Sequence, residues 1–178
     1  MDASDESLAR AAARGDRGAF ASLLERHYDR IHGLCWRLTG DRAEAEDLTQ
    51  DICAGLPEKL RGWRAEARLT TWLYRVAVNA AHDRRRRAAS HARAALGWGD
   101  WERGRQADIA AETEAQDWLT AAMARLSDEL RDTVALTLGE GLSQAEAAEV
   151  LGVSEGTVAW RMSEVKKKLR AMAQEEAV

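Results

Sequence analysis

The chain has 178 residues, 46% of them hydrophobic, a formal net charge of −4 and a single proline, Pro57. That length suits one medium domain or two small helical ones with a real core, and the acidic balance excludes a sequence-independent coat for DNA. No run of roughly 18 apolar residues occurs, the start Met1–Ser7 is acidic, and Cys35 and Cys53 stand alone, so a membrane span, a secretory signal and a disulfide framework are not expected and a reducing cytoplasm fits best.

Alanine, leucine, arginine and glutamate dominate, which favours helix. A short helix is expected from about Asp5 to Arg14, ended by Gly15. Asp16 caps the next, whose apolar positions Phe20, Leu23, Leu24, Tyr28, Ile31, Leu34, Cys35 and Leu38 recur at three and four. Thr39-Gly40 ends it, and Asp41 caps a third helix with the stripe Ala45, Leu48, Ile52 and Leu56. Pro57 is expected to break or restart that helix. Residues 62–69 lack periodicity and read as a loop. A fourth helix starts at Thr70 or Thr71 and runs into Arg84–Arg87. Thr71, Tyr74, Arg75, Val78, Asn79 and His82 share its outward face, and Trp72, Leu73, Val76, Ala77 and Ala80 point mostly inward.

Residues 88–112, with Gly97, Gly99, Gly104 and scattered charge, read as a linker; so long a loop inside one compact domain would be unusual. Thr113 to Gln116 has the pattern of a capping box, followed by helices at about 114–125 and, capped by Ser127, at 128–139. Ser143 to Glu146 is a second capping box. Gly152 stops the helix it opens, and Ser154 caps the last helix, to about Met172.

Charge is uneven along this plan. Residues 1–88 carry 16 basic against 14 acidic groups, residues 89–115 carry 3 against 5, and residues 116–178 carry 7 against 11. Basic residues cluster at Arg84–Arg87 and at Lys166–Lys168 with Arg170. Such clusters steer phosphate even on an acidic chain.

Residues 143–168, SQAEAAEVLGVSEGTVAWRMSEVKKK, have the layout of a helix-turn-helix. Ala148 is small where two helices must cross, Gly152 supplies the turn, and Val158 is a compact apolar residue facing the first helix. Together with the Ser154 cap, this points to duplex DNA rather than to a plain helical hairpin. Glu155, Thr157, Ala159, Trp160, Ser163 and Lys167 face the groove. Arg161 and Lys166, Lys167 and Lys168 reach phosphates, which positions the helix without reading sequence.

These residues resemble region four of the sigma-70 superfamily, in its extracytoplasmic-function branch. AEAEDLTQDI at 43–52 is similar to the family's polymerase-clamp segment, and TTWLYRVAVNAAHDRRRR at 70–87 to its promoter-melting, minus-ten-reading helix. The resemblance implies an all-α fold of two small helical domains joined by a flexible linker: residues 1–88 as region 2, 89–112 as linker and 113–178 as region 4. It implies that Asp47, Leu48, Gln50 and Asp51 touch the β′ clamp helices of core RNA polymerase. The loop Gly62–Leu69 corresponds to one that holds a flipped minus-ten base. There Trp63 either stacks on that base or anchors in the core, and Arg64 and Arg68 hold phosphate. Thr71, Tyr74, Arg75, Asn79 and His82 face the minus-ten strand, Asn79 at a base-reading position. Arg84, Arg85, Arg86 and Arg87 meet duplex phosphate. Ser154 to Lys168 read the minus-thirty-five element.

The implied partners are core polymerase, through its clamp helices and β flap, promoter DNA and an anti-sigma factor. No cofactor, metal or catalytic activity of its own is implied. His27, His32 and Cys35 lie close in sequence but off one line, and Cys35 is better read as core than as a zinc ligand. In one respect the chain departs from the family, which usually has a basic residue at Ala159, a small one at Trp160 and often a basic one at Glu164. Two other readings stay open: a helix-turn-helix regulator that works without polymerase, and a protein whose main role is to be held by a partner.

Overall fold

The computed structural model describes residues 3–95 and 114–176, and among them every regular element is helical. The first domain holds four helices: α1 (Asp5–Ala13), α2 (Arg17–Thr39), α3 (Arg42–Leu60) and α4 (Leu69–Ala95). The second holds α5 (Glu114–Ala124), α6 (Asp128–Val134), α7 (Gln144–Leu151) and α8 (Glu155–Glu176). A π-helical turn, Ala135–Gly139, extends α6, so the expected continuous helix over 128–139 changes winding midway. The capping box expected at Thr113 lies outside the described residues.

Local signals set most boundaries. Asp16 accepts a hydrogen bond from the Ala19 N–H at 3.0 Å and Asp41 one from the Glu44 N–H at 2.8 Å, which satisfies a free donor at the start of α2 and of α3. Gly40 closes α2 in the left-handed conformation.

Three expectations fail, each for a packing reason. Pro57 does not break α3: Leu56 and Leu60 on either side of it are 1% exposed each, and their burial keeps the helix continuous past the one missing backbone bond. Tyr28 leaves the apolar stripe of α2, 42% exposed and stacked on His32, while His27 turns inward and bonds Asp5 of α1 at 2.8 Å. Val78 is 1% exposed, so it belongs to the core side of α4, with Leu73, Ala77 and Ala81. The fourth helix also starts earlier and runs further than expected, from Leu69 to Ala95, which makes the first residues assigned to the linker helical.

The core of the first domain is built from Leu23, Ile31, Leu34, Leu38, Leu48, Ile52, Leu56, Leu60 and Leu73. Cys35 lies within it at 0% exposure, and burial pushes its thiol up to about 11, as an inert core residue requires. In the second domain Leu136, Ala147, Ala148, Val158, Met162 and Val165 close the core where α6, α7 and α8 meet. The two domains dock, α6, the π turn and α7 lying against α2 and α4.

Candidate nucleic-acid interface

The second domain's interface is α8, set by the turn before it. Ser143 and Glu146 form the capping box that starts α7, the Ser143 N–H and hydroxyl each bonding the Glu146 carboxylate at 2.8 Å. Gly152 then turns the chain at φ 66°, a conformation that a side chain disfavours. Ser154 accepts from the Thr157 N–H at 3.1 Å and starts α8. Ala148 and Val158 are 6% and 0% exposed, so the helices cross closely, as their sizes allow.

That crossing turns the far side of α8 outward. Ser154, Glu155, Ala159, Trp160, Ser163, Lys166, Lys167 and Lys168 are exposed, with Trp160 at 61%, and Thr157 is half-buried. Arg161 is corrected. Its side chain is 12% exposed, lies 3.6 Å from Glu129 of α6, and packs inward rather than toward phosphate.

In the first domain, α3 presents Asp47, Gln50 and Asp51 to the exterior. Leu48 is 2% exposed and cannot belong to that surface; its apolar side chain secures the helix from beneath. Arg84 of α4 reaches across to Asp47 at 3.4 Å and Asp51 at 3.5 Å, so the first of the four arginines neutralises the acidic pair instead of standing free for phosphate. Arg86 pairs with its helix neighbour Asp83 at 2.7 Å, and Arg87 is exposed.

In the loop, Arg64 is exposed, and Trp63 is half-buried and packed on the core, its indole N–H buried without a partner. The core-anchor alternative for Trp63 is therefore the one observed. Ala65 sits at φ 59°, an uncommon conformation for a residue with a side chain.

Along α4, Asn79 is exposed and Thr71 half-buried. The remaining expected minus-ten side chains are engaged by the second domain. The Tyr74 hydroxyl donates to Glu140 at 2.8 Å, and burial together with that carboxylate pushes its phenol well above the ordinary range. Arg75 donates to the Glu149 carbonyl at 3.1 Å. The His82 Nε2 meets Asp132 at 2.7 Å. Arg85 forks onto both oxygens of Asp132, at 2.8 and 3.0 Å, and donates to the Leu38 carbonyl at 2.6 Å. Burial alone would lower the Arg85 guanidinium, but Asp132 outweighs it and holds the charge in place. The Ser143 backbone N–H holds the Glu146 carboxyl below its usual range, and Arg68 of the loop adds attraction across the domain boundary.

Asp132 and Glu140 were not singled out from sequence, nor were Arg30 and Arg37, which meet Glu140. A signal for Asp132 existed. It lies three and four residues before Ala135 and Leu136, on the inward face of its helix, where a lone carboxylate requires a cation. Glu140 follows the π turn and carries no periodic signal.

The family model described as sigma-70 region 2 matches residues 23–91, and that described as sigma-70, region 4 matches residues 116–169. The chain is 36% identical to the ECF RNA polymerase sigma factor SigM of Mycobacterium tuberculosis, over 93% of this chain and 83% of that relative. It is 27% identical to SigW of Bacillus subtilis, over 88% and 90%. Among solved structures, CnrH in complex with the cytosolic domain of CnrY aligns with a TM-score of 0.69 at 26% identity, over 96% of this chain and 97% of that one. The sigma factor RpoE bound to the anti-sigma factor NepR, from Bartonella quintana, aligns with a TM-score of 0.71 at 21% identity and supports the fold.

Proposed function

The chain belongs to the extracytoplasmic-function branch of the sigma-70 family, and from that premise we propose that it recruits core RNA polymerase to specific promoters in the cytoplasm and starts transcription there. The observation that carries this reading is the pairing, in one chain and in family order, of a region 2 match containing the Asp47 and Asp51 face with a region 4 match containing the exposed outer face of α8. Asp47, Gln50 and Asp51 bind the clamp helices of polymerase, and the second domain meets the β flap. Asn79, Tyr74, Arg75 and His82 of α4 read and open the minus-ten element, with Arg64 and Arg68 on its phosphates. Outward α8 side chains read the minus-thirty-five element. Bond making belongs to the polymerase; this chain selects and opens the template. A partner of the anti-sigma kind, as NepR is for RpoE, controls its availability.

Run-off transcription with core polymerase and a matched promoter tests the reading. Wild-type protein should stimulate initiation, and Asp47→Lys with Asp51→Lys should abolish stimulation while helicity stays unchanged. Stimulation that survives both reversals would leave α8 acting as a regulator without polymerase contact through α3.

A further inference from the structure

The four arginines in a row on α4 are held in different ways. Arg85 forks onto the buried Asp132 at 2.8 and 3.0 Å, Arg86 pairs with its helix neighbour Asp83 at 2.7 Å, and Arg87 is exposed. Arg84 reaches across to α3. Its Nη2 lies 3.4 Å from an Asp47 oxygen and its Nη1 3.5 Å from an Asp51 oxygen. Those two carboxylates are the ones read above as binding the clamp helices of polymerase. One guanidinium of the chain itself therefore sits on the face that polymerase has to take.

The seat has a physical reason. Asp47 and Asp51 are one turn apart on α3, where like charges oppose each other. A guanidinium carries donors enough for both and relieves that repulsion. The pairing is nonetheless loose. Both distances exceed the roughly 2.7–2.9 Å of a charge-assisted hydrogen bond. The side chains of Asp47 and Asp51 are 67% and 75% exposed and that of Arg84 34%, so water competes at every atom of the pair and another ion replaces it readily. Arg84 also lines an open cleft of about 480 Å³. Four arginines border that cleft, Arg84, Arg85, Arg87 and Arg131, against two carboxylates, Glu44 and Asp128. The local excess of positive charge attracts an anion. Arg84 thus stands between two anionic claims, the aspartates of α3 on one side and, on the other, a cationic cleft that suits phosphate.

We propose that Arg84 is a cation that the polymerase-binding face and DNA hold in turn. In the free protein it is seated on Asp47 and Asp51. A basic side chain of the polymerase clamp that takes those carboxylates displaces it, and the displaced guanidinium turns to a backbone phosphate of duplex DNA beside Arg87. Polymerase docking then adds a phosphate contact by rotation of one side chain, with no movement of either helix. This rests on the reading of Asp47 and Asp51 as the polymerase face.

The test uses the full chain in two arms, with far-UV circular dichroism confirming wild-type helicity in every form. In the first arm, without polymerase, a fluorescein-labelled, mixed-sequence duplex DNA 20-mer is titrated over a range of salt concentrations. Four forms are compared: wild type, Asp47→Asn with Asp51→Asn, Arg84→Ala, and all three substitutions together. Neutralising the carboxylates imitates their occupation by polymerase. It should tighten DNA binding by up to about fivefold, the most that release from so exposed a pair returns. It should also steepen the dependence of log affinity on log salt by about 0.9, the value of one added phosphate contact. Where Arg84 is already replaced, the same neutralisation should leave the slope unchanged. A steeper slope of equal size with and without Arg84 is what loss of negative charge alone produces, and it would overturn the exchange. No gain in either background would overturn it as well.

In the second arm, labelled protein is titrated with core RNA polymerase in the absence of DNA. Arg84→Ala removes the competitor and should tighten binding by about twofold to fivefold. Arg61→Ala removes the same charge at the end of α3, where Arg61 pairs with Glu58 and not with either aspartate, and should not tighten it. Equal tightening by the two variants would reduce Arg84 to its share of the net charge. Weaker binding by Arg84→Ala would mean that Arg84 holds the carboxylates in place for polymerase. Either result sinks the exchange. Failure of the wild type to bind core polymerase would count against the initiation role and the polymerase step together, while the DNA arm still decides whether the two carboxylates keep Arg84 from phosphate.

Discussion

Two helices were expected to meet DNA, α4 and α8, and they are held in opposite ways. α8 is positioned by its own domain, through the Gly152 turn, the Ser154 cap and the close crossing at Ala148 and Val158, and its outer face is open. α4 is positioned by its domain too, but three side chains expected to face the minus-ten strand, Tyr74, Arg75 and His82, are bound by the other domain, and so is Arg85 of the basic run. The difference lies in the chemistry of support. Apolar packing and caps orient a helix without using its polar face. Ion pairs use that face, and so compete with whatever else would bind it. The outer face of α8 stands open, and the corresponding stretch of α4 is engaged by the second domain.

The largest expected effect falls on the face of α4 engaged by the second domain. Asp132→Ala leaves Arg85, at 23% side-chain exposure, facing an apolar methyl. The loss in a urea-unfolding curve should be about 3 kcal/mol, the lower end of the range for breaking a buried pair, because His82 is 49% exposed and can rehydrate. Arg84→Ala is the matched control: its pairs with Asp47 and Asp51 are exposed and should contribute no more than about 1 kcal/mol. Equal losses in the two variants would erase the distinction between a buried interdomain pair and a solvated surface pair.

Gly152→Ala comes next, on the open surface. Forcing a β-carbon into φ 66° should cost about 1–2 kcal/mol and lower the thermal midpoint, since α8 loses the turn that aims it. An unchanged midpoint would mean that α8 is oriented by packing alone.

Much of this was legible in the sequence, and the failures share a cause. Caps at Asp16, Asp41, Ser143 and Ser154 are local events of three or four residues, so their patterns survive in one dimension. The outer face of α8 follows from the same local rules. Leu48 stands where the apolar stripe of α3 puts it, and only the resemblance assigned it to the polymerase surface; Arg161 sits one step from a face boundary, where the neighbouring helix decides which side is solvent. Tyr74, Arg75 and His82 were expected on the outward face of α4, but those side chains are engaged by residues about 50 to 74 positions away, a contact that no local pattern encodes. Pro57 inside α3 is the same lesson in reverse, since burial of Leu56 and Leu60 overrides a strong local breaker.

A smaller effect separates ion pairs across the domains from one inside the first domain. Burial alone would raise the Asp5 carboxyl, but Arg26 and His27 outweigh it and hold the group below its ordinary value of 3.8. A carboxyl depressed in the folded state contributes stability that is fully present above 3.8 and is lost as pH falls through the lower folded value. Asp5 is 32% exposed at its side chain, so the contribution should stay below about 1 kcal/mol. Hydrogen exchange in α1 should therefore accelerate, relative to α2, only in that acid window, and Asp5→Asn should remove the pH dependence. A loss of α1 protection already at neutral pH would show that the clamp is not what holds α1.

The smallest expected change in stability belongs to Trp160, and there the open surface is tested most directly. At 61% exposure this indole contributes little to the core, so Trp160→Ala should leave the unfolding midpoint within about 0.5 kcal/mol of wild type. Its consequence should appear in promoter choice. A large apolar ring on the outer face of α8 suits a thymine methyl in the major groove better than a phosphate. Transcription starts mapped after expression of Trp160→Ala should lose preference for thymine in the minus-thirty-five element while promoters with strong minus-ten elements are retained. Trp160→Arg should shift the preference toward guanine, the base whose edge a guanidinium pairs with best. An unchanged start profile in both variants would remove Trp160 from the reading surface and leave it as a contact for a protein partner. The contrast with α4 would then narrow to the residues around it, Glu155, Ala159 and Ser163, which stand exposed on the same helix.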